Sequence, residues 1–144
     1  MAAARPGNEC GISDSLVIDT DVLSFLFKGD TLAEAYRGDL EGKLLALSFM
    51  TVAELYELSD VWRWNEGRFD RLERYISSYV VLPYDNRVCK EWARIRVERH
   101  LIGRPISTQD AWIAATAVRH RCPLVTHNRV DYAEIKGLAV LSHA

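Results

Sequence analysis

The chain has 144 residues, is 49% hydrophobic and 26% charged, and carries a formal net charge of -2, which is the balance of one domain able to bury its own core. That charge excludes a protein that grips nucleic acid by overall basicity, so any nucleic-acid contact must be local. The three cysteines, Cys10, Cys89 and Cys122, form no C-x-x-C pair, which argues against a zinc site or a secreted disulfide framework and fits a reducing, cytoplasmic setting.

The first segment, 1–15, is small and polar and is expected to be a flexible N-terminal extension, leaving 16–144 as a single domain. Met1 to Cys10 carries Arg5, Pro6 and Gly7 where a secretory signal needs an apolar run, and no apolar stretch reaches membrane-spanning length, so no membrane association is expected. Short apolar runs then alternate with segments of helical period, the pattern of an α/β domain with parallel strands. The expected strands are Leu16 to Asp19, Leu44 to Ser48, Tyr79 to Leu82, Leu124 to Thr126 and Leu138 to Leu141.

Between the strands, Val22, Phe25 and Leu26 recur at helical spacing before Gly29 stops the run. Leu55, Leu58 and Trp62, then Leu72 and Ile76, predict a helical hairpin broken at Asn65-Glu66-Gly67. Asp85 is placed to cap a helix with the apolar face Val88, Trp92 and Ile95. Ala111, Ala114, Ala115 and Val118 mark a last helix ended by Cys122-Pro123.

In an open parallel sheet, ligands bind at the carboxyl ends of the strands. Asp19 ends the first strand, Glu54 is expected to open the helix after the second, Asp110 to open the last helix, and Asn128 and Asp131 follow the fourth strand. If these meet at one edge, like charges raise one another's pKa unless a cation sits between them. A hard divalent ion, Mg2+ or Mn2+, suits such an oxygen-only set. Local readings remain for each acid: Thr51-Val52-Ala53-Glu54 matches a capping box, Ser107-Thr108-Gln109-Asp110 imitates one, and Asp21 and Asp131 suit solvated or capping positions. Arg94, Arg96, Arg99, His100 and Arg104 form a basic stretch that suits either contacts to phosphate groups or a solvated helix face. Trp62, Trp64, Phe69 and Tyr75 enrich the hairpin in aromatic groups suited to core or dimer contacts.

The segments Leu16-Val17-Ile18-Asp19-Thr20-Asp21-Val22-Leu23, Ser48-Phe49-Met50-Thr51-Val52-Ala53-Glu54-Leu55, Gly103-Arg104-Pro105-Ile106 with Asp110 to Ala117, and Leu124 to Tyr132 together resemble the PIN domain family, and within it the VapC-type toxin ribonucleases of bacterial toxin–antitoxin pairs. The resemblance implies a three-layer α/β fold, with a central, mostly parallel sheet of about five short strands between helices. It implies metal-dependent hydrolysis of single-stranded RNA leaving a 5′-phosphate, with Asp19, Glu54, Asp110 and Asn128 as catalytic residues. Asp19, Asp110 and Glu54 would bind Mg2+ or Mn2+, with a weaker contribution from Asp131. Thr20, Arg104, Thr126 and His127 would contact substrate. Asp21 departs from the asparagine or serine common at its position. The resemblance also implies a homodimer and a cognate antitoxin seated against the helical hairpin. Two other readings stay open: a haloacid-dehalogenase-like phosphatase, suggested by Asp19-Thr20-Asp21, and a PIN-type binding module without activity.

Overall fold

A computed structural model describes residues 14–144; most of the expected 1–15 extension therefore lies outside the described residues. Five strands form one sheet in the order β3-β2-β1-β4-β5. They are β1 (Ser15–Ile18), β2 (Leu44–Ser48), β3 (Val80–Leu82), β4 (Leu124–Val125) and β5 (Val140–Leu141). Every pairing is parallel. Six helices connect them: α1 (Thr20–Lys28), α2 (Glu34–Leu40), α3 (Phe49–Val61), α4 (Glu66–Ser77), α5 (Asn86–Leu101) and α6 (Thr108–His120). The chain moves outward from β1 through β2 to β3, then crosses back to lay β4 on the other side of β1. The carboxyl edge of β1 and β4 is therefore a switch point at which a crevice opens.

The two sheet faces are read directly from strand alternation. In β1, Val17 joins one buried cluster with Ala114, Ala115 and Ile95, whereas Leu16 and Ile18 join another with Val22, Leu55 and Leu72. Ala46 and Leu47 divide the same way in β2, as do Leu124 and Val125 in β4. Burial on both faces makes β1, β2 and β4 continuous apolar runs, whereas Val80 and Val81 of the edge strand β3 are exposed. Three layers result, with α5 and α6 over one face.

Local chemistry sets the helix ends. Asp19, Ser48, Asn65, Asp85 and Ser107 are the N-caps of α1, α3, α4, α5 and α6, each accepting a backbone N–H from the first turn. Gly29 closes α1 at φ 70, a left-handed conformation that a side chain would strain. Two expectations are corrected. Ser48, not Thr51, caps α3, so Glu54 lies in the second turn of that helix and does not open it. Helix α2 falls in a stretch with no helical expectation; it is only seven residues long and buries Tyr36 and Leu40. Among the described residues Cys89 and Cys122 are free, and no helix is long and apolar enough to cross a membrane.

Candidate active site

Strand β1 delivers Asp19 to the carboxyl edge, 6% exposed. Its Oδ1 accepts the Thr20 N–H at 2.8 Å and its Oδ2 accepts the Thr126 hydroxyl at 2.7 Å. Burial, reinforced by the neighbouring Asp21 carboxylate, pushes the Asp19 carboxyl up to about 7 despite those two donors. The Thr20 hydroxyl donates to Glu54 Oε1 at 2.6 Å and lies 3.0 Å from Thr51 Oγ1. One turn of α1 and two turns of α3 are thereby tied together by a hydroxyl pair that aims Glu54 at the edge. Asp110 enters from the first turn of α6, where Ser107 accepts its N–H at 3.0 Å, and its Oδ1 accepts the Tyr132 hydroxyl at 3.1 Å.

Burial raises the carboxyls of Glu54 and Asp110 above the ordinary range; Asp110 adds repulsion at Glu54, and Asp131 adds it at Asp110. Asp110 also contributes to the repulsion at Asp19. The three acids, from positions far apart in the sequence, therefore share one electrostatic environment. No ion pair among the described residues reaches any of them; their donors are neutral hydroxyls and amides.

Asn128 and Asp131 form the outer side of the site. The Asn128 N–H donates to Thr126 Oγ1 at 3.0 Å, and its side-chain amide donates to Asp131 Oδ2. Thr126 thus couples Asn128 to Asp19 through one hydroxyl. Thr20 and Thr126 act on the acids themselves. Asp21 spends both oxygens on backbone, Oδ1 on the Val22 N–H at 2.6 Å and Oδ2 on the His127 N–H at 3.1 Å. It braces the loop after β4, as a capping residue does.

His127 is oriented from behind. Tyr36, fully buried on α2, places its hydroxyl 2.6 Å from His127 Nδ1 and accepts the His143 N–H at 3.0 Å. The Tyr36 hydroxyl also lies 3.4 Å from Thr126 O, so one buried hydroxyl fixes the His127 ring and the strand end beside it.

The basic stretch is mostly committed to structure. Arg99 is 4% exposed and bonds the carbonyls of Arg104, Asp131 and Ala133, clasping the turn that carries Tyr132. Arg94 pairs with Glu91 and Glu98, and Arg96 bonds the Ile106 carbonyl. Arg104 pairs with Glu134 at 2.6 Å at the surface. Tyr132, Tyr36 and Arg99 are the residues that sequence reasoning missed in these roles. An aromatic in a loop and an arginine in a charge run carry no local signal of what they hold.

The donor set consists of oxygen ligands alone, which suits Mg2+ or Mn2+ and not zinc. Among the described residues no three His, Cys, Asp or Glu side chains close into a ready ligand cage. An ion that keeps several waters and takes one or two carboxylates directly would not need such a cage.

An open parallel sheet with converging acids at its switch point defines an α/β domain built to handle a phosphate ester at that edge. The chain belongs to the PIN domain family, whose model matches residues 16–138. Ribonuclease VapC5 of Mycobacterium tuberculosis is 30% identical over 125 residues, covering 85% of this chain and 89% of that protein. The tRNA(fMet)-specific endonuclease VapC of Shigella flexneri is 26% identical over 122 residues, 85% of this chain and 92% of its own length. Among solved structures, VapBC-1 of nontypeable Haemophilus influenzae superposes with a TM-score of 0.75 at 26% identity, covering 89% of this chain and 97% of that chain. VapBC2 of Rickettsia felis, bound to a promoter DNA fragment, shares the fold at a TM-score of 0.80 and 18% identity, covering 90% and 99%.

Proposed function

We propose that this chain is a Mg2+- or Mn2+-dependent endoribonuclease that cuts single-stranded RNA as the cytoplasmic toxin of a toxin–antitoxin pair. The observation that carries the reading is that Asp110 bears electrostatically on both Asp19 and Glu54 at the carboxyl edge, each acid being held by neutral donors and unpaired with any cation among the described residues. VapC relatives that match most of their own length support it, and the neighbouring VapBC complexes support an antitoxin partner.

Asp19 and Asp110 would hold the ion, with Glu54 close enough to share it and Asp131 contributing from outside. When bound, the ion supplies positive charge to the phosphodiester and acidity to a water. Glu54, its carboxyl raised by burial and held by the Thr20 hydroxyl, would take a proton from the attacking water. The water oxygen bonds to phosphorus, the bond from phosphorus to the 3′-oxygen breaks, and the leaving 3′-oxygen takes a proton from solvent, so that a 5′-phosphate and a 3′-hydroxyl remain. Asn128, with its N–H side committed to Thr126 and Asp131, keeps its carbonyl oxygen to orient that water. His127, its ring held by the Tyr36 hydroxyl, would meet a phosphate oxygen of the substrate.

The test is cleavage of total cellular RNA by the purified protein with Mn2+, against chelator and against an Asp19→Asn, Asp110→Asn double variant. Discrete cuts with 5′-phosphate ends that need both metal and intact acids are expected. Equal cutting by the variant overturns the assignment, and absence of any metal-induced stabilisation favours a binding module without activity.

A further inference from the structure

At the end of α6 away from Asp110, Arg119 and Arg121 line a cleft of about 540 Å³ together with Arg87 and Lys90 from the first turns of α5. His120 and Glu91 complete the part of the wall that matters electrostatically. Glu91 is already taken by Arg94 at 2.7 Å, so the cleft's own carboxylate is neutralised from outside. Asp85, the N-cap of α5, holds Arg119 at 2.9 Å and fixes the direction of its guanidinium. The side chains of Arg87 and Lys90 have no carboxylate within ion-pair distance among the described residues. His120 Nε2 is buried with no hydrogen-bond partner, an unmatched polar atom of the kind that native structures rarely leave.

Local folding does not ask for this composition. Arg121 closes α6 at φ 57, where glycine or asparagine costs less. In a chain of net charge -2, Arg87 and Lys90 share one concave surface with Arg119 and Arg121. Arginine forks match phosphate oxygens in paired geometry, and the amino end of α5 adds its dipole to the same field. A surface of this breadth suits successive phosphates of a polyanion better than one phosphate ion.

The spacing indicates which polyanion. Asp110 and Arg119 lie nine residues apart on one helix, about 14 Å at ~1.5 Å per residue, or about four stacked nucleotides at ~3.4 Å each. A strand whose scissile bond sits at the acids needs at least that length to reach the cleft, and it passes round α6, whose residues Ala111 and Ile113 to Ala117 are buried. We propose that the α5–α6 cleft is an exosite for the sugar-phosphate backbone of the RNA at least about four nucleotides from the cut. This rests on the RNA-cleaving reading of the acidic site.

The experiment compares wild type with an Arg87→Glu, Lys90→Glu variant, and with Arg87→Gln, Lys90→Gln in case charge reversal impairs folding. In chelator, binding of a longer single-stranded RNA is followed against salt; with Mn2+, cleavage of that RNA and of a short RNA confined to the acidic site is measured. Losing two backbone contacts should weaken binding of the longer RNA about tenfold at ~0.15 M salt and lower the salt slope by about 1.4. Short-RNA cleavage should stay at the wild-type rate. Unchanged affinity and slope for the longer RNA overturn the exosite. Loss of polyglutamate binding with RNA binding intact also overturns it, in favour of an acidic protein segment. If wild type cleaves neither RNA, the nuclease reading fails while the chelator experiment still decides the cleft.

Discussion

Replacing Asp19 by Asn tests the electrostatic account of the site most directly. The carboxyl stands at 3.8 in the unfolded chain and about 7 in the fold, so the folded, metal-free protein binds that proton more tightly than the unfolded one. Its contribution is fully present below the unfolded value, is lost as pH rises through the interval from 3.8 to about 7, and stays lost above it. The interval corresponds to roughly 4 kcal/mol, an upper figure because Asp19 is coupled to Asp21 and Asp110. The asparagine amide keeps the acceptor for the Thr20 N–H but faces Thr126 with a donor. The Thr126 hydroxyl, already accepting from Asn128, then lacks an acceptor for its proton, which returns about 1–2 kcal/mol. A net gain of about 2 kcal/mol should raise Tm by about 4–8 °C for a domain of this size. Melting in chelator near about pH 8 should show the variant more stable, and the advantage should vanish below about pH 4. Adding Mn2+ should stabilise wild type and leave the variant nearly unmoved. A variant that melts at or below wild type in chelator at the higher pH refutes the argument.

Other perturbations separate the site's parts. Glu54→Gln keeps an acceptor for the Thr20 hydroxyl, so Mn2+-induced stabilisation should persist while cleavage falls at least about 100-fold, as read by paired melting and rate measurements. Tyr132→Phe removes the hydroxyl on Asp110 and should cost about 2 kcal/mol in urea unfolding, with a several-fold higher midpoint for Mn2+ in a melting titration. Arg99→Met strands the carbonyls of Arg104, Asp131 and Ala133 and should cost about 3 kcal/mol or more; recovery of wild-type stability by Arg99→Lys would show that charge alone suffices. Tyr36→Phe frees the His127 ring and should raise KM for RNA with kcat little changed.

The middle of the sheet was legible because β1, β2 and β4 are packed on both faces. Such strands are apolar runs, and Leu44 to Ser48 is found with the bounds expected from sequence. The Asp85 cap was equally visible, since the chemistry that starts a helix is local, and Asn65, read only as part of the break in the hairpin, proves to be a cap as well. Helix α2 was not, because seven residues interrupted by Gly38 give too little period to see. At the site, acids placed at strand ends could be counted, but what holds them could not. Thr126 and Asp19 are 107 positions apart, and Tyr132 finds Asp110 across 22. No local spacing encodes those pairs.

The choice of partners for the acids explains why the site is acidic in a protein that must approach a polyanion. Had lysine or arginine paired with Asp19, Glu54 and Asp110, the fold would gain stability and the edge would be neutral without help. Hydroxyls from Thr20, Thr126 and Tyr132 do something different: they orient the oxygens and leave the negative charge uncancelled. The cost appears as raised carboxyl pKa values and reduced stability above neutrality. A divalent ion that binds only the folded arrangement recovers that free energy. Under the proposed function, binding of the ion and binding of RNA are coupled, since the edge repels phosphate until a cation is in place. The arginine stretch nearest the site is spent on carbonyls and carboxylates. On that reading, attraction for RNA would come from the ion and from the cations of the proposed α5–α6 exosite.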